Sequence, residues 1–186
     1  MSRKFNIVDY DPEWNKLFIK EKNELEKIFG DLVCSIHHVG STAIKTTQAK
    51  PEIDILIVVK DDSNLAKYDK QMIDLGYRVR GECLDKGGIP GKFYYSKNTN
   101  NVRTHKVHIC KKGHEEIMKM LLFVKCLNEH EDCGRQYADL KQKLSKKYNY
   151  DHKDIGKYIE EKSVFIRDIL ERARKEYKDI EYHDFL

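Results

Sequence analysis

Gly40-Ser41-Thr42-Ala43-Ile44-Lys45-Thr46-Thr47-Gln48-Ala49-Lys50-Pro51-Glu52-Ile53-Asp54 is the stretch that decides how this 186-residue chain is read. A Gly-Ser pair follows an apolar run, and two carboxylates then flank Ile53 at the mouth of an almost wholly aliphatic segment. Side chains two apart on a strand share a face, so Glu52 and Asp54 point the same way. Two carboxylates on one face repel unless a cation or a donor lies between them. Magnesium suits such a pair: it is a hard ion that one or two carboxylates hold while substrate phosphates complete its shell. Gly40 lets the backbone approach a phosphate, Ser41 and Thr42 bring hydroxyls, and amides that open a helical turn favour anions. Lys50 and Lys45 add positive charge. Each motif also has a plainer meaning. Gly-Ser-Thr is an ordinary capped turn, and Glu-x-Asp at a strand edge is ordinary surface charge. Their order and spacing favour the chemical reading.

Working outward, Ile53 to Val59 reads as a strand buried on both faces and therefore interior to a sheet. Leu32 to Val39 reads as a strand interrupted by the polar His37-His38. Before it, Asp11 caps a helix with Pro12 in the first helical position. Trp14, Leu17, Phe18, Leu25, Ile28 and Phe29 follow at helical spacing, and Gly30 ends the run. A second helix is expected over Leu65 to Leu75. Strands follow at Tyr77 to Glu82, Phe93 to Ser96 and Arg103 to Cys110, separated by glycine- and asparagine-rich turns. Beyond Gly113 the pattern is helical, near Glu115 to Glu129, Gly134 to Tyr148 and Ile155 to Tyr177. The expected architecture is α/β (α+β): residues 1–112 form a mixed β-sheet flanked by helices, and 113–186 form a helical segment packed on it as one unit. The polar tail from Lys178 carries Ile180, Tyr182, Phe185 and Leu186 and is expected to dock.

With 40% hydrophobic and 35% charged residues, the composition excludes an intrinsically disordered chain. The net charge of +4, from 35 basic and 31 acidic residues, is mild and gives no strong nucleic-acid signal. The densest basic cluster, Lys141 to Lys147, alternates with Leu140 and Leu144 and reads as a solvated helix face; a patch that attracts nucleotide phosphates is the minority reading. Five cysteines, an odd number with no Cys-x-x-Cys, argue against a disulfide framework or zinc knuckle. Met1 to Phe5 is not followed by an apolar signal region, and no run approaches the roughly 20 apolar residues of a membrane span. The cytoplasm is the expected location.

Gly40-Ser41 followed by Glu52-Ile53-Asp54-Ile55 resembles the signature of the nucleotidyltransferase superfamily. More narrowly, the chain resembles the GrpB family. The matching stretches are Val8-Asp9-Tyr10-Asp11-Pro12-Glu13-Trp14, His38-Val39-Gly40-Ser41-Thr42-Ala43, Ala49-Lys50-Pro51-Glu52-Ile53-Asp54-Ile55 and Arg103-Thr104-His105-Lys106-Val107-His108-Ile109. Tyr137-Ala138-Asp139-Leu140-Lys141 and Tyr158-Ile159-Glu160-Glu161-Lys162 extend the match into the helical half. The resemblance implies a nucleotidyltransferase-like fold with a metal ion and a nucleotide over the two acids. It names no acceptor. Members of the family also occur fused to dephospho-coenzyme A kinase, which hints at nucleotide or coenzyme chemistry.

The chain departs from the superfamily pattern at one place. Active members often carry a third acid on a later strand, and Arg103 to Cys110, the equivalent strand, has none. It offers His105, Lys106 and His108 instead. His105 and His108 are three apart and face opposite sides of a regular strand. His108 shares its face with Lys106, the face expected to meet the carboxylates. Histidine suits a general base, and Lys106 suits a phosphate. The leading reading is a magnesium-dependent nucleotidyltransferase. In it Glu52 and Asp54 hold the metal, Gly40, Ser41, Thr42, Lys50 and Lys106 hold the triphosphate, and His108 completes the catalytic set. The alternative is a non-catalytic nucleotide-binding or regulatory module of the same fold. A zinc site of His38, His105 and His108 is a third reading, opposed by strand alternation.

Overall fold

The computed structural model describes residues 6–148 and 154–186; the Met1 to Phe5 stretch lies outside them. Helix α1 spans Glu13–Phe29. Asp11 opens it as expected, its Oδ1 accepting the Glu13 N–H at 2.9 Å. Trp14, Phe18, Leu25 and Phe29 form its buried stripe, whereas Leu17 lies off the stripe and is exposed.

Five strands form one sheet: β1 (Val33–Val39), β2 (Ile53–Val59), β3 (Tyr77–Gly81), β4 (Lys92–Thr99) and β5 (Val102–Lys111), in the order β1-β2-β5-β4-β3. β2 and β5 run parallel; the other neighbours are antiparallel. β2 is thus interior, as its unbroken aliphatic run requires. Ile53, Ile55, Ile57 and Val59 pack into a core with α1 and with Met72. Leu56 and Val58 pack on the other face against Ile117 and Leu121. Each such side chain contributes roughly 2 kcal/mol of apolar burial. The expected second helix is a 3₁₀ turn, Leu65–Tyr68, running into a short α2, Asp69–Asp74.

Three helices follow: α3 (Glu115–Glu129), α4 (Glu131–Lys147) and α5 (Ile155–Glu176). α3 covers β1, β2 and β5 on the face opposite α1. It shares a second core with α4 and α5 around Leu122, Phe123, Leu127, Tyr137 and Ile169. The tail docks, with Ile180 and Phe185 against that core and the Tyr182 hydroxyl hydrogen-bonded to Ser35. All five cysteines are free thiols. Among the described residues no helix is long and apolar enough to cross a membrane.

The segment joining β1 to β2 is fixed along its length. Ile44 is fully buried in the helical core. The Asn128 carboxamide brackets the loop, donating to the Ala43 carbonyl and accepting the Lys45 N–H, both at 3.0 Å. Ala49 forms a two-way bridge with Val8. At Gly134 a Cβ would fall 1.8 Å from the Thr46 hydroxyl, so α4 approaches the loop at a distance only glycine permits.

Candidate functional site

β1 ends at Gly40, where the backbone turns with φ +70° and ψ −168° into the 3₁₀ turn Ser41–Ala43. That conformation is essentially glycine-only. A Cβ there would stand 2.4 Å from Asp54 Oδ2 and 2.8 Å from Asp54 Cβ. Gly40 therefore lets the Gly-Ser turn and the second acid touch. Thr42 is committed to the scaffold: its buried hydroxyl donates to the Glu52 carbonyl at 3.2 Å and receives His38 Nε2–H at 3.0 Å. Ser41 lies at the cavity wall with Tyr137 of α4 behind it; burial pushes the Tyr137 phenol up to about 12 against a hydrogen bond with Ser41.

The two acids share a face and each already meets a protein donor. Arg103 Nε lies 3.1 Å from Glu52 Oε1. Burial raises the Glu52 pKa, and the neighbouring Asp54 charge adds to the rise. His108 Nε2 donates to Asp54 Oδ1 at 3.1 Å. Burial alone would raise the Asp54 pKa, but the His108 bond and the charges of Lys106 and Lys162 outweigh it and hold the carboxyl below its ordinary value. Burial lowers the His108 pKa to about 4, so the ring is neutral. With Nε2–H given to Asp54, the buried Nδ1 has no hydrogen-bond partner among the described residues. His108 thus orients Asp54.

The sheet register sets the rest. Asp54 lies opposite Lys106 on β5, so a lysine stands on the strand where the superfamily pattern has a third acid. Lys106 lies over the Tyr94 ring at 4.9 Å; burial lowers its pKa against the pull of Asp54 and Glu52. His105 faces the other side, 3.9 Å from Glu21 of α1. His38 stacks on Phe18 with ring centroids 4.9 Å apart. His38, His105 and His108 bond to three separate partners, and the zinc arrangement does not form. Lys45 is exposed and does not line the cavity over the acids; Lys50 does, its pKa lowered to about 8 by burial.

Two lysines of the helical half, Lys141 and Lys162, also stand at the site. The cavity over the acids, about 340 Å³, is lined by Lys50, Arg103, Lys106, Lys141 and Lys162. Lys141 corrects the expectation of a solvated cluster: it is 4% exposed, its ammonium donates to the Gln48 carbonyl and it lies 4.4 Å from the Tyr137 ring centre. The signal was periodicity. Tyr137, Lys141 and Leu144 fall at i, i+4 and i+7, so Lys141 occupies an apolar-stripe position on α4. Lys162 repeats this on α5, one turn after the buried Tyr158 and ahead of Ile169. Burial lowers the Lys162 pKa, opposed by Asp54 and Glu52.

Among the described residues five basic side chains thus line a cavity with two carboxylates, a lining that suits an anionic ligand. The acid pair fits a hard divalent cation provided phosphates come with it. Arg103 and His108 each engage one oxygen, so the pair can offer Glu52 Oε2 and Asp54 Oδ2, the latter beside the Gly40 turn. A second donor group, Cys126, His130 and Glu176, gathers at the α3–α5 junction with ligand atoms within 4.8 Å. It suits a metal poorly: Arg172 donates to His130 Nδ1 at 3.2 Å, and burial pushes the Cys126 thiol up to about 11.

Burial lowers the Lys141 pKa from 10.5 to about 7. Below pH 7 the ammonium is charged in both folded and unfolded chains, and the cost of burying it is fully present. Between about 7 and 10.5 the unfolded chain holds a proton the folded protein has released, so this group's contribution to stability rises with pH. Lys141→Met is expected to raise the melting temperature at pH 6 to 7 by roughly 2–8 °C, the shift that about 1–2 kcal/mol produces in a chain of this size. Melts from pH 6 to 9 check it, with the gain shrinking as pH rises.

A five-stranded mixed sheet of this order, flanked by helices, has the nucleotidyltransferase-like fold. The chain resembles a Cid1 poly(U) polymerase structure described as MgGTP bound, with a TM-score of 0.52 at 13% identity over 76% of this chain and 45% of that one, a likeness of fold alone. The GrpB protein family model matches residues 4–172, and the chain belongs to that family. The crystal structure of conserved protein GrpB from Enterococcus faecalis superposes with a TM-score of 0.82 at 31% identity, covering 92% of this chain and 98% of that one. UPF0157 protein YqkA of Bacillus subtilis is 37% identical over 174 residues, 93% of this chain, which spans about half (48%) of that relative. A dephospho-CoA kinase of Mycolicibacterium paratuberculosis is 26% identical over 187 residues, covering 90% of this chain and 45% of the kinase.

Proposed function

We propose that the cavity over Glu52 and Asp54 binds the phosphates of a nucleoside triphosphate together with magnesium, and that the protein is a nucleotidyltransferase. The carrying observation is the set of basic side chains that lines the cavity, among the described residues, with an acid pair that touches a Gly-Ser turn. An acid pair alone calls for a cation, and a basic lining alone calls for an anion. Both together suit a metal–phosphate ligand. In this reading Gly40, Ser41 and the Thr42 backbone receive phosphate, while the Thr42 hydroxyl holds the turn to β2. Lys50, Lys106, Lys141 and Lys162 offset phosphate charge. Glu52 and Asp54 hold the magnesium, which when bound would offset charge developing on the phosphate oxygens. His108 positions Asp54. Transfer would join an acceptor hydroxyl oxygen to the α-phosphorus and break the bond to the bridging oxygen; pyrophosphate leaves and the hydroxyl proton passes to water. Residues 1–112 and 113–186 act as one unit in this reading, because Lys141 and Lys162 line the cavity over the acids from the helical half. The kinase relative makes a coenzyme A precursor a candidate partner, and the cytoplasm is the setting this chemistry suits.

A second reading keeps the ligand and drops the reaction. Lys106 in register with Asp54 favours it, since a lysine in place of a third acid supplies charge for binding and nothing for holding a second metal. Thermal melts of the full chain with millimolar ATP, CTP, GTP or UTP and magnesium test the shared claim. A nucleotide at about 100 times its dissociation constant stabilises by about 2.7 kcal/mol, roughly 5–10 °C here. No shift with any of the four sinks both readings; a shift with pyrophosphate release selects the first.

A further inference from the structure

The α3 layer covers only part of the sheet face that carries the acids. Towards the β3 edge that face is open and basic. The register runs straight across it: Asp54 pairs with Lys106, Lys106 with Ser96, and Ser96 with Arg78. These four side chains share one row, with Arg78 three strands from Asp54, about 14 Å between backbones at the usual strand spacing. β3 then bulges. Val79 sits opposite Tyr95 and Gly81 opposite Tyr94, so Arg80 is an extra residue in the strand. A bulge re-aims a side chain, and Arg80 lines the same hollow as Arg78.

That hollow has about 530 Å³ and is lined, among the described residues, by Lys50, Arg78, Arg80 and Arg103 with one carboxylate, Glu52. Ser96 and Asn101 add neutral donors. It adjoins the cavity over the acid pair: Lys50, Glu52 and Arg103 line both. Arg103 is tied to Glu52. Arg78 and Arg80 are exposed, and among the described residues neither pairs with a carboxylate. Positive charge on an edge strand can serve merely to prevent sheet-to-sheet pairing. That purpose does not ask for two arginines on the face shared with the acids, one placed there by a bulge.

We propose that this hollow is the acceptor site, and that the acceptor is a small phosphorylated molecule of mononucleotide size. Its phosphate rests on Arg78 and Arg80, and its hydroxyl reaches toward Glu52 and Asp54. The assignment rests on the nucleotide reading of the adjoining cavity. Size favours a small molecule: the hollow lies within the range of single-ligand pockets. Charge does too, because the chain is only +4 overall, whereas a polynucleotide site asks for a longer basic track.

The test uses the full chain, first saturated with magnesium and a non-hydrolysable ATP analogue, then titrated with ribose 5-phosphate and, as control, ribose. Ribose 5-phosphate should bind in the millimolar range, about −4 kcal/mol, and ribose should not. The Arg78→Ala/Arg80→Ala variant should lose ribose 5-phosphate binding at least about tenfold, the effect of removing about 1.4 kcal/mol. It should keep its melting temperature and bind the analogue within about twofold, because both arginines are exposed and outside the acid cavity. Unchanged ribose 5-phosphate binding in the variant, or none in the wild type, overturns the assignment. A single-stranded oligonucleotide that binds more tightly with length, and is lost in the variant, overturns it in favour of a polynucleotide. If the analogue itself fails to bind, the nucleotide reading falls, and the same titrations on ligand-free protein decide the phosphate site alone.

Discussion

Gly40→Ala is expected to lower the stability of the protein by about 4 kcal/mol and to abolish ligand binding in the cavity over the acids. Two costs add. The backbone at φ +70°, ψ −168° lies where a side chain costs roughly 1–3 kcal/mol. The new methyl also overlaps Asp54, 2.4 Å from Oδ2 and 2.9 Å from Cγ, and such overpacking costs a further 1–3 kcal/mol or so. The protein cannot relieve the overlap cheaply, because His108 holds Asp54 from one side and the Thr42 hydroxyl ties the turn to the Glu52 carbonyl. Urea unfolding of both proteins measures the loss. Asp54→Ala in the same chain removes the part of the overlap made with Oδ2 and Cγ, keeps the part made with Cβ, and leaves the backbone strain. The double variant should be more stable than the sum of the two single losses predicts. A drop of less than about 1 kcal/mol in Gly40→Ala would mean that the turn moves freely away from β2, and the contact between turn and acid would lose its significance.

Asp54→Asn is expected to separate metal from phosphate. The amide can still accept the His108 Nε2–H, so the side chain keeps its place. The cavity loses the Asp54 charge and retains its basic side chains. Magnesium-free binding of pyrophosphate should therefore persist or tighten, while the gain that magnesium gives to triphosphate binding disappears. If the wild type releases pyrophosphate, the variant should do so about a thousandfold more slowly, the scale on which loss of one preorganised electrostatic element acts. Calorimetric titrations with and without magnesium, beside a pyrophosphate-release assay, read both quantities. Equal magnesium dependence in the two proteins would remove Asp54 from the metal site.

Stability should change with pH in a defined direction. Asp54 titrates below its ordinary value in the folded protein, so its contribution is present above the unfolded pKa and is lost as pH falls through the folded one. In Asp54→Asn that part of the acid-induced loss should vanish.

Much of this arrangement is written locally in the chain. β2 is legible because a run of aliphatic and β-branched residues needs no distant partner to be read as a doubly buried strand. The shared face of Glu52 and Asp54, and the opposite faces of His105 and His108, follow from strand alternation and hold in the structure. Other features depend on what packs where. Lys141 and Lys162 look like surface lysines of charged amphipathic helices. Only the stripe positions they occupy, beside Tyr137 and Tyr158, mark them as inward-facing, and a lysine on a stripe can also snorkel outward. The role of His108 turns on a neighbour 54 residues away that claims its Nε2–H. The row from Asp54 to Arg78 requires the order β2-β5-β4-β3, which no local pattern encodes.

The central claim is that the acid pair and the cations around it form one site for a metal–phosphate ligand. A crystal structure of the full chain soaked with a nucleoside triphosphate and magnesium tests it most directly. The account predicts the triphosphate between the Gly40–Ser41 turn and Lys106, Lys141 and Lys162, with a magnesium ion shared by Glu52 and Asp54. A nucleotide bound elsewhere, or a magnesium ion that leaves both carboxylates untouched, would contradict it.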